Sequence, residues 1–293
     1  MSKNLLNRIV LGTAQFNTSY GRFNKNYIGD NEILKILKYC KVKKISFLDT
    51  SNNYKEDFKK FDRRLIRYFN IVYKFSPNSY KSFDSVIEDL FSINKNFAFE
   101  KLYCFMLHNE KDFSKIKKKY FHLIKKLKKL KLVKKFGISI YDFKNLEKYI
   151  LDKNIDVIQL PYNILDNRFQ NKQIQLALKK RGKSIEIHAR SIFLQGLLLQ
   201  NHSSCDPLVK KNNRLFKRWD YFNENNKNTK ILNCINFVKN NNKIDKILVG
   251  VDNLKQLKKF VEIFIKNERK RKLSVFNVNN KENIIDPRKW KKK

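Results

Sequence analysis

Short runs of β-branched or aromatic residues alternate along the chain with longer segments whose apolar residues recur at helical spacing. The runs are typical of buried strands and the longer segments of amphipathic helices. The predicted strands are Arg8–Leu11, Ile45–Leu48, Asn70–Lys74, Leu102–Leu107, Lys134–Ile138, Asp156–Leu160, Ser184–Ile187 and Lys246–Val249. The predicted helices cover residues 31–43, 57–68, 81–93, 112–131, 142–151, 171–181, 228–240 and 253–266, with Asp30 and Asp142 as N-caps.

This order predicts an α/β fold, a (β/α)8 TIM barrel, because eight strands each followed by a helix is the count for that architecture. A doubly wound sheet is less consistent with the sequence, since no G-x-G-x-x-G follows a predicted strand. We expect the barrel to occupy residues 1–266 and a basic C-terminal extension to occupy residues 267–293.

The chain is strongly basic: of its 293 residues, 65 are Lys or Arg and 27 are Asp or Glu, which gives a formal net charge of +38. Such a charge raises nucleic-acid binding as an alternative function. Arg, the residue best suited to phosphate and base contacts, is scarce beside Lys, so we expect no nucleic-acid partner. The charge instead favours encounter with anionic small molecules.

Cysteine use and hydropathy indicate the setting in which the protein works. The four cysteines form no C-x-x-C pair, which predicts reduced thiols and no metal site. No uncharged apolar stretch is long enough to span a membrane, and no signal-peptide pattern opens the chain. We therefore expect a cytoplasmic protein without a membrane partner.

Polar residues stand where the predicted strands end, and the carboxyl ends of barrel strands converge on one pocket. Asp49 closes the second strand, with Tyr54 five residues later, Lys74 closes the third and His108 follows the fourth. The later strands are followed or closed by Ser139, Gln159, His188, Arg190 and Ser191. Gly12, Gly137 and Gly250 fall at predicted strand ends, at positions where we expect no room for a side chain.

These residues belong to motifs that resemble the aldo-keto reductase family, an NADP-dependent oxidoreductase family, from Ile9 to about Phe264. The matching motifs, in order, are Leu11-Gly-Thr-Ala-Gln-Phe with Tyr20-Gly21, Leu48-Asp-Thr-Ser-Asn-Asn-Tyr54, Lys74, Leu107-His108, Phe136-Gly-Ile-Ser, Ile158-Gln-Leu-Pro-Tyr-Asn163, His188-Ala-Arg-Ser-Ile-Phe-Leu-Gln-Gly196 and Val249-Gly-Val-Asp252 with Gln256. The resemblance implies an enzyme that reduces an aldehyde or ketone by hydride transfer from NAD(P)H.

The family's catalytic tetrad maps onto Asp49, Tyr54, Lys74 and His108. A free Tyr, with a pKa of about 10, is a weak acid near neutral pH. A neighbouring Lys lowers that pKa, and an Asp paired with the Lys holds its charge in place. We therefore expect Tyr54 to be the general acid, and His108 to orient the substrate carbonyl.

The resemblance places Ser139 and Gln159 at the nicotinamide carboxamide and Ser191 near the pyrophosphate. Arg190 stands where many members stack an aromatic ring on the nicotinamide. After the last strand, the family outline is kept by Gly250, Asp252 and Gln256. We expect NADP(H) rather than NAD(H), with the 2′-phosphate held by Lys255, Lys258 or Lys259.

The segment Gln200–Lys227 is long and polar, and we expect it to be a loop that shapes the substrate pocket. Its side chains Phe216, Arg218, Trp219 and Tyr221 would suit a sugar ring or an anionic group. The predicted substrate is therefore a small carbonyl compound, anionic or sugar-like. A catalytically weak regulatory protein that keeps the fold and the cofactor is the alternative function.

Overall fold

A computed structural model describes residues 5–16, 18, 21–23, 27–52, 54, 58–77, 83–97, 102–266, 276, 278 and 282–290. The strands are β1 Ile9–Gly12, β2 Phe47–Ser51, β3 Asn70–Phe75, β4 Leu102–Leu107, β5 Val133–Ser139, β6 Val157–Pro161, β7 Glu186–Arg190 and β8 Lys246–Gly250. The α-helices are α1 Asp30–Val42, α2 Arg63–Ile66, α3 Phe83–Phe97, α4 Lys111–Lys129, α5 Leu146–Leu151, α6 Lys172–Arg181, α7 Pro207–Lys211, α8 Asn213–Phe222, α9 Lys227–Lys239, α10 Leu254–Ile265 and α11 Glu282–Ile285.

The strands form a closed parallel barrel in which each strand pairs with the next and β8 pairs with β1. This confirms the predicted (β/α)8 architecture. The register brings residues from distant parts of the chain side by side at the carboxyl rim. Gly12 lies opposite both Asp49 and Gly250, and Ser139 lies opposite Gln159.

Two strands extend three residues further at their carboxyl ends than predicted, and most of the added residues are polar. The strand β2 continues to Ser51, and β7 continues to Arg190. The predicted ends at Leu48 and Ile187 followed the end of each apolar run. The ladder continues past those points because backbone pairing does not depend on side-chain polarity: Ser51 pairs with Lys74 and Arg190 with Pro161.

Several helix starts and stops differ from their predictions. The segment 57–68 contains a short 3₁₀ helix, Phe58–Lys60, and then α2, because the Asp62 side chain caps a new start by accepting from Arg64 N at 2.6 Å. Asp30 is the first residue of α1 instead of its cap. Asp142 accepts from Lys144 N at 2.9 Å in the turn before α5, and so does not cap that helix.

The predicted loop Gln200–Lys227 contains the helices α7 and α8. Asp206 caps α7 by accepting from Leu208 N, and Pro207 occupies its first turn. The apolar side chains of α8 are few but large, so a short helix there still buries a substantial surface. Phe216 and Trp219 pack in a satellite core, where the Trp219 ring contacts Phe276 at 5.0 Å between centroids.

The main core lies between the barrel and its surrounding helices. Inside the barrel, a smaller apolar cluster contains Val72, Cys104, Met106 and Val157. A polar network closes the amino-terminal end of the barrel: the Tyr103 hydroxyl donates to Glu186 at 2.7 Å, and Lys135 pairs with the same carboxylate. Among the helices of the described ranges, none combines the length and apolarity needed to cross a membrane.

Gly137 lies in the middle of β5 and faces the barrel interior, not a strand end as predicted. A Cβ atom there would lie 2.8 Å from Met106 Cε and 2.9 Å from Cys104 Sγ, closer than van der Waals contact allows. We expect Gly137→Ala to lower the free energy of unfolding by about 1–3 kcal/mol through overpacking, measured by urea denaturation. Gly29→Ala is the control, since its Cβ would meet nothing nearer than 3.8 Å. Equal effects of the two substitutions would contradict overpacking.

Candidate active site

A cavity of about 760 Å³ opens at the carboxyl rim of the barrel, within the size range of ligand pockets. The structure brings all eleven predicted site residues to its wall. They are Asp49, Tyr54, Lys74, His108, Ser139, Gln159, Arg190, Ser191, Gly250, Asp252 and Gln256. His188 is not among them: it lies inside β7, fully buried, and contacts Glu186 at 3.2 Å.

At the base of the cavity, the Lys74 ammonium and the Asp49 carboxylate form a buried ion pair. Lys74 Nζ donates to Asp49 Oδ1 at 2.6 Å, and Gln159 Nε2 donates to the other carboxylate oxygen at 2.8 Å. Burial alone would lower the pKa of Lys74, but the charge of Asp49 and the nearby Tyr54 raise that pKa above its ordinary value. Lys74 is therefore a cation throughout the neutral range.

Tyr54 reaches the same cavity from the loop after β2. Lys74 Nζ lies 5.6 Å from the centre of the Tyr54 ring. The Tyr54 and His108 rings meet edge to face, with centroids 6.5 Å apart. A phenol, an ammonium and an imidazole, predicted from separate strand ends, thus lie together at one point of the wall.

His108 follows β4, and its Nδ1 lies 3.2 Å from Ser51 Oγ. Burial and the neighbouring Lys74 cation lower the pKa of His108 to about 4. The imidazole is therefore neutral near pH 7. In the tautomer that accepts from Ser51 at Nδ1, the ring carries its hydrogen on Nε2.

One buried polar atom of the cavity wall fits an amide ligand. Gln159 must direct its Nε2 to Asp49, because a carboxylate only accepts hydrogen bonds. Its Oε1 is then buried without a partner in the structure. A ligand carboxamide N–H would satisfy this oxygen, so the residues fit the carboxamide of a nicotinamide cofactor.

Close contacts shape the wall at the end of β8. A Cβ atom on Gly250 would lie 2.3 Å from Gln15 Oε1, so a larger residue here would displace the Gln15 side chain. Beyond it, Asp252 N donates to Gln256 Oε1 and Gln256 Nε2 donates to Asp252 Oδ2, each at 3.0 Å. Of the three lysines predicted for a 2′-phosphate, Lys259 lines the cavity.

The loop after β7 holds an unusual run of left-handed backbone. Ser191, Leu194 and Gln195 have φ values of 57°, 50° and 52°, and Gly196 has 88°. Each non-glycine residue in this region costs about 1–3 kcal/mol, and such strain clusters at ligand sites. The loop lines the cavity, and only Ser191 among these residues was predicted to be functional.

Arg190, the last residue of β7, stacks on a side chain of the protein itself. Its Cζ lies 3.7 Å from the centre of the Tyr141 ring, and its Nη2 donates to Ile140 O at 2.7 Å. Tyr141 was missed in the sequence, although it lies two residues after the predicted site residue Ser139.

The end of the described chain contributes to the cavity wall. Pro287 lines it, and Arg288 Cζ lies 3.8 Å from the centre of the Tyr141 ring. Nearby, Arg22 donates to Asp206 at 2.8 Å and lies 5.9 Å from the Trp290 ring. The periodicity of the sequence gave no signal for these contacts, because they join segments far apart in the chain.

The side chains predicted to bind substrate from Gln200–Lys227 lie elsewhere, so that expectation is wrong. Phe216 and Trp219 are buried in the satellite core, and Tyr221 is 87% exposed. Arg218 lies 5.8 Å from the Phe276 ring. The physical reason is that α8 turns Phe216 and Trp219 towards the protein interior and Tyr221 towards solvent. None of these four side chains lines the cavity.

The cavity wall is nonetheless strongly cationic. It contains five basic side chains, Arg22, Lys74, Arg190, Lys227 and Lys259, and two carboxylates, Asp49 and Asp252. Such a surplus attracts anions and fits a phosphate-bearing ligand. In the part of the chain that the structure describes, no group of three His, Cys, Asp or Glu side chains is placed to hold a metal ion.

We expect Lys74→Met to lower the free energy of unfolding by about 3–5 kcal/mol, because it leaves the Asp49 carboxylate buried without its cation. The double variant Asp49→Asn/Lys74→Met should recover much of that loss. Lys60→Met, which breaks the solvent-exposed pair between Lys60 and Asp30, should cost under about 1 kcal/mol. Urea denaturation measures all three, and a double variant less stable than Lys74→Met would contradict the ion-pair account.

The free energy of unfolding should decrease as the pH falls from 6.5 to 4. Over that range the unfolded chain protonates His108 while the folded protein, whose pKa there is about 4, does not. The expected contribution is about 3 kcal/mol, and it should disappear in His108→Gln. Urea titrations at a series of pH values measure it, and an unchanged pH dependence in the variant would contradict it.

Comparisons with known proteins agree with this geometry. The model of the Aldo/keto reductase family matches residues 8–271. A proposed aldo-keto reductase from Pseudomonas aeruginosa has a similar fold, with a TM-score of 0.60 and 14% identity over 88% of this chain and 89% of its own. A glycerol dehydrogenase from Gluconobacter oxydans gives a TM-score of 0.68 and 14% identity over 90% of this chain and 88% of its own. No curated protein matches the chain significantly in sequence.

The structural similarities, at this level of identity, support the fold alone. The family match covers most of the barrel, from the residue before β1 to beyond α10. It agrees with the motifs that carried the resemblance in the sequence. The chain belongs to the aldo/keto reductase family of oxidoreductases.

Proposed function

We propose that the protein reduces an aldehyde or ketone to the alcohol, using hydride from a nicotinamide dinucleotide. One observation carries this proposal: the buried Lys74–Asp49 pair lies beside Tyr54, with neutral His108 in the same cavity. Reduction of a carbonyl leaves negative charge on its oxygen, and that oxygen needs a proton donor and a stabilising dipole. Tyr54 and His108 supply these two functions.

In this mechanism, Tyr54 donates its phenolic proton to the carbonyl oxygen. The Lys74 cation favours the phenolate that remains and so makes Tyr54 a stronger acid. Asp49 keeps Lys74 charged and fixes its position, since the carboxylate is itself held by Gln159. Asp49 therefore acts through Lys74, without touching the substrate.

His108 acts as a neutral hydrogen-bond donor. Its depressed pKa prevents it from competing with Tyr54 as the acid near pH 7. A hydrogen on Nε2 would orient the substrate oxygen towards Tyr54 and stabilise the charge that develops there. The contact with Ser51 is compatible with that tautomer, because the hydroxyl can donate to Nδ1.

The bound cofactor would supply the hydride, because no side chain can. We infer that Ser139 and Gln159 hold the carboxamide, and the unpartnered Gln159 Oε1 supports this. Ser191 on the strained loop and the segment from Gly250 to Gln256 would bind the rest of the dinucleotide. NADP(H) is preferred over NAD(H), supported by Lys259 in the wall; Lys255 and Lys258 do not line the cavity.

The proposed substrate is a small carbonyl compound, anionic or sugar-like, in keeping with the cationic wall. The Gluconobacter oxydans relative, a glycerol dehydrogenase, acts on a polyol. We place the protein in the cytoplasm, because Cys40, Cys104, Cys205 and Cys234 are all free thiols. Nucleic acid is not proposed as a partner despite the net charge.

We expect Tyr54→Phe to lower kcat by at least about 100-fold, since it removes the proton donor and little else. Cofactor affinity should stay within about twofold, because the phenol is not among the residues assigned to the dinucleotide. Quenching of NADPH fluorescence measures binding, and turnover of a panel of small aldehydes measures kcat. Tyr221→Phe, on an exposed ring, is the matched control and should leave both unchanged.

Two outcomes would contradict the proposal. A near-normal kcat in Tyr54→Phe would exclude Tyr54 as the acid. Quenching of NADPH fluorescence by the wild-type protein without turnover of any carbonyl compound would favour the alternative, a cofactor-binding regulatory protein of the same fold.

A further inference from the structure

The Arg190 guanidinium lies in the cavity wall without an anionic partner. The residue is only 7% exposed, and its contacts are with neutral acceptors: Ile140 O at 2.7 Å and Ser191 Oγ at 3.3 Å. Within the described ranges, no carboxylate lies at ion-pair distance from it. A buried charge without a counter-ion is costly, so such a group is expected to bind an anion.

Some other buried cations of this protein pair with a carboxylate: Arg22 with Asp206, Lys74 with Asp49, and Lys230 with Asp220. Lys239 and Lys246 instead donate to backbone carbonyl oxygens, as Arg190 does. Arg190 differs from these two lysines because it lines the cavity, where a ligand could provide an anion.

The neighbouring carboxylates are already engaged. Asp49 binds Lys74 and Gln159. Glu110 accepts from the backbone N–H groups of Tyr141 and Asp142, each at 3.1 Å. A side-chain rearrangement that neutralised Arg190 would therefore break an existing contact. The charge remains available to a ligand.

The guanidinium is also fixed in position. Its Cζ and that of Arg288 both lie within 4 Å of the centre of the Tyr141 ring, so the two groups must occupy opposite faces. Arg288 is held in turn by Asp286 at 2.7 Å. Stacking and the bond to Ile140 O leave Arg190 little freedom to turn towards bulk solvent.

The group lies close to the reacting centre. Arg190 follows His188, the register partner of Gln159, by two residues, and is opposite Pro161. Its positive charge lowers the pKa of both Lys74 and His108, although other causes have larger effects on each. Arg190, Tyr54 and His108 line the same cavity, so one small molecule could reach the guanidinium and both of the other side chains.

We propose that the substrate is a carbonyl acid, an aldehyde or ketone that bears a carboxylate, and that Arg190 binds this carboxylate and determines the specificity. The inference rests on the proposed reductase function. A planar guanidinium matches a carboxylate with paired N–H donors, and the adjacent Ser191 hydroxyl offers a further donor. Because a cofactor phosphate could also supply an anion, the test separates the two sources.

The test compares 4-carboxybenzaldehyde with its uncharged amide, 4-carbamoylbenzaldehyde. Wild-type protein should prefer the acid by about 10- to 100-fold in kcat/KM, the range for a hydrogen bond to a charged group. Arg190→Gln should bring the ratio close to one, and Arg190→Lys should restore part of it. A ratio is used because it cancels any effect of Arg190→Gln on turnover that both aldehydes share. Arg168→Gln is the matched control, since that guanidinium stacks on Phe143 outside the cavity and pairs with Asp166.

Two binding measurements complete the experiment. NADPH fluorescence gives the cofactor affinity of each variant, and calorimetry gives the affinity of the wild-type protein and Arg190→Gln for the two aldehydes. An equal preference for acid and amide in the wild type would overturn the inference. A preference for the acid that remains in Arg190→Gln while cofactor affinity falls would also overturn the inference, because Arg190 would then bind the cofactor phosphate. Calorimetry also gives a result if the protein turns over neither aldehyde. Binding of the acid that depends on Arg190 would then support the anion site and contradict the reductase function. No binding of the acid would contradict both.

Discussion

The ion pair between Lys74 and Asp49 is the interaction on which the candidate site depends. Both groups are almost completely buried, and a buried pair is stable only when its geometry and remaining hydrogen bonds are satisfied. Gln159 satisfies the second carboxylate oxygen from across the barrel. The pair therefore needs β2, β3 and β6 at a fixed separation, which only the closed barrel provides. Once held, it presents a permanent cation to Tyr54, while burial together with the Lys74 charge lowers the pKa of His108 and keeps it neutral.

The same electrostatic balance extends to the mouth of the cavity. Lys74 is neutralised, whereas Arg190 is not, so the wall carries a net positive charge beside the reacting centre. The C-terminal segment reinforces this arrangement by placing Arg288 on the second face of Tyr141. A basic chain thus uses one of its few arginines where a planar, permanent charge is required. The many surface lysines contribute a general attraction for anions without selecting one.

Much of the site could be predicted because the barrel converts an order along the chain into proximity in space. Asp49, Lys74 and His108 each close or follow a parallel strand, so they had to meet at one rim once the fold was known. The prediction was wrong where polarity was taken as the end of a strand, as at His188, which is buried within β7. It was also wrong for Trp219, whose helix faces the interior instead of the cavity.

Local periodicity established the eight strand–helix units, and with them the barrel, because the spacing of apolar residues depends only on near neighbours in the chain. The resemblance to the family came from the motifs at the strand ends. Periodicity could not identify partners that lie far apart. The stacking of Arg190 on Tyr141, the place of Pro287 in the cavity wall, and the contact of Arg190 with the neutral Ile140 O all depend on which distant segments come into contact. Those contacts are set by the packing of the folded chain, and no short stretch of residues encodes them.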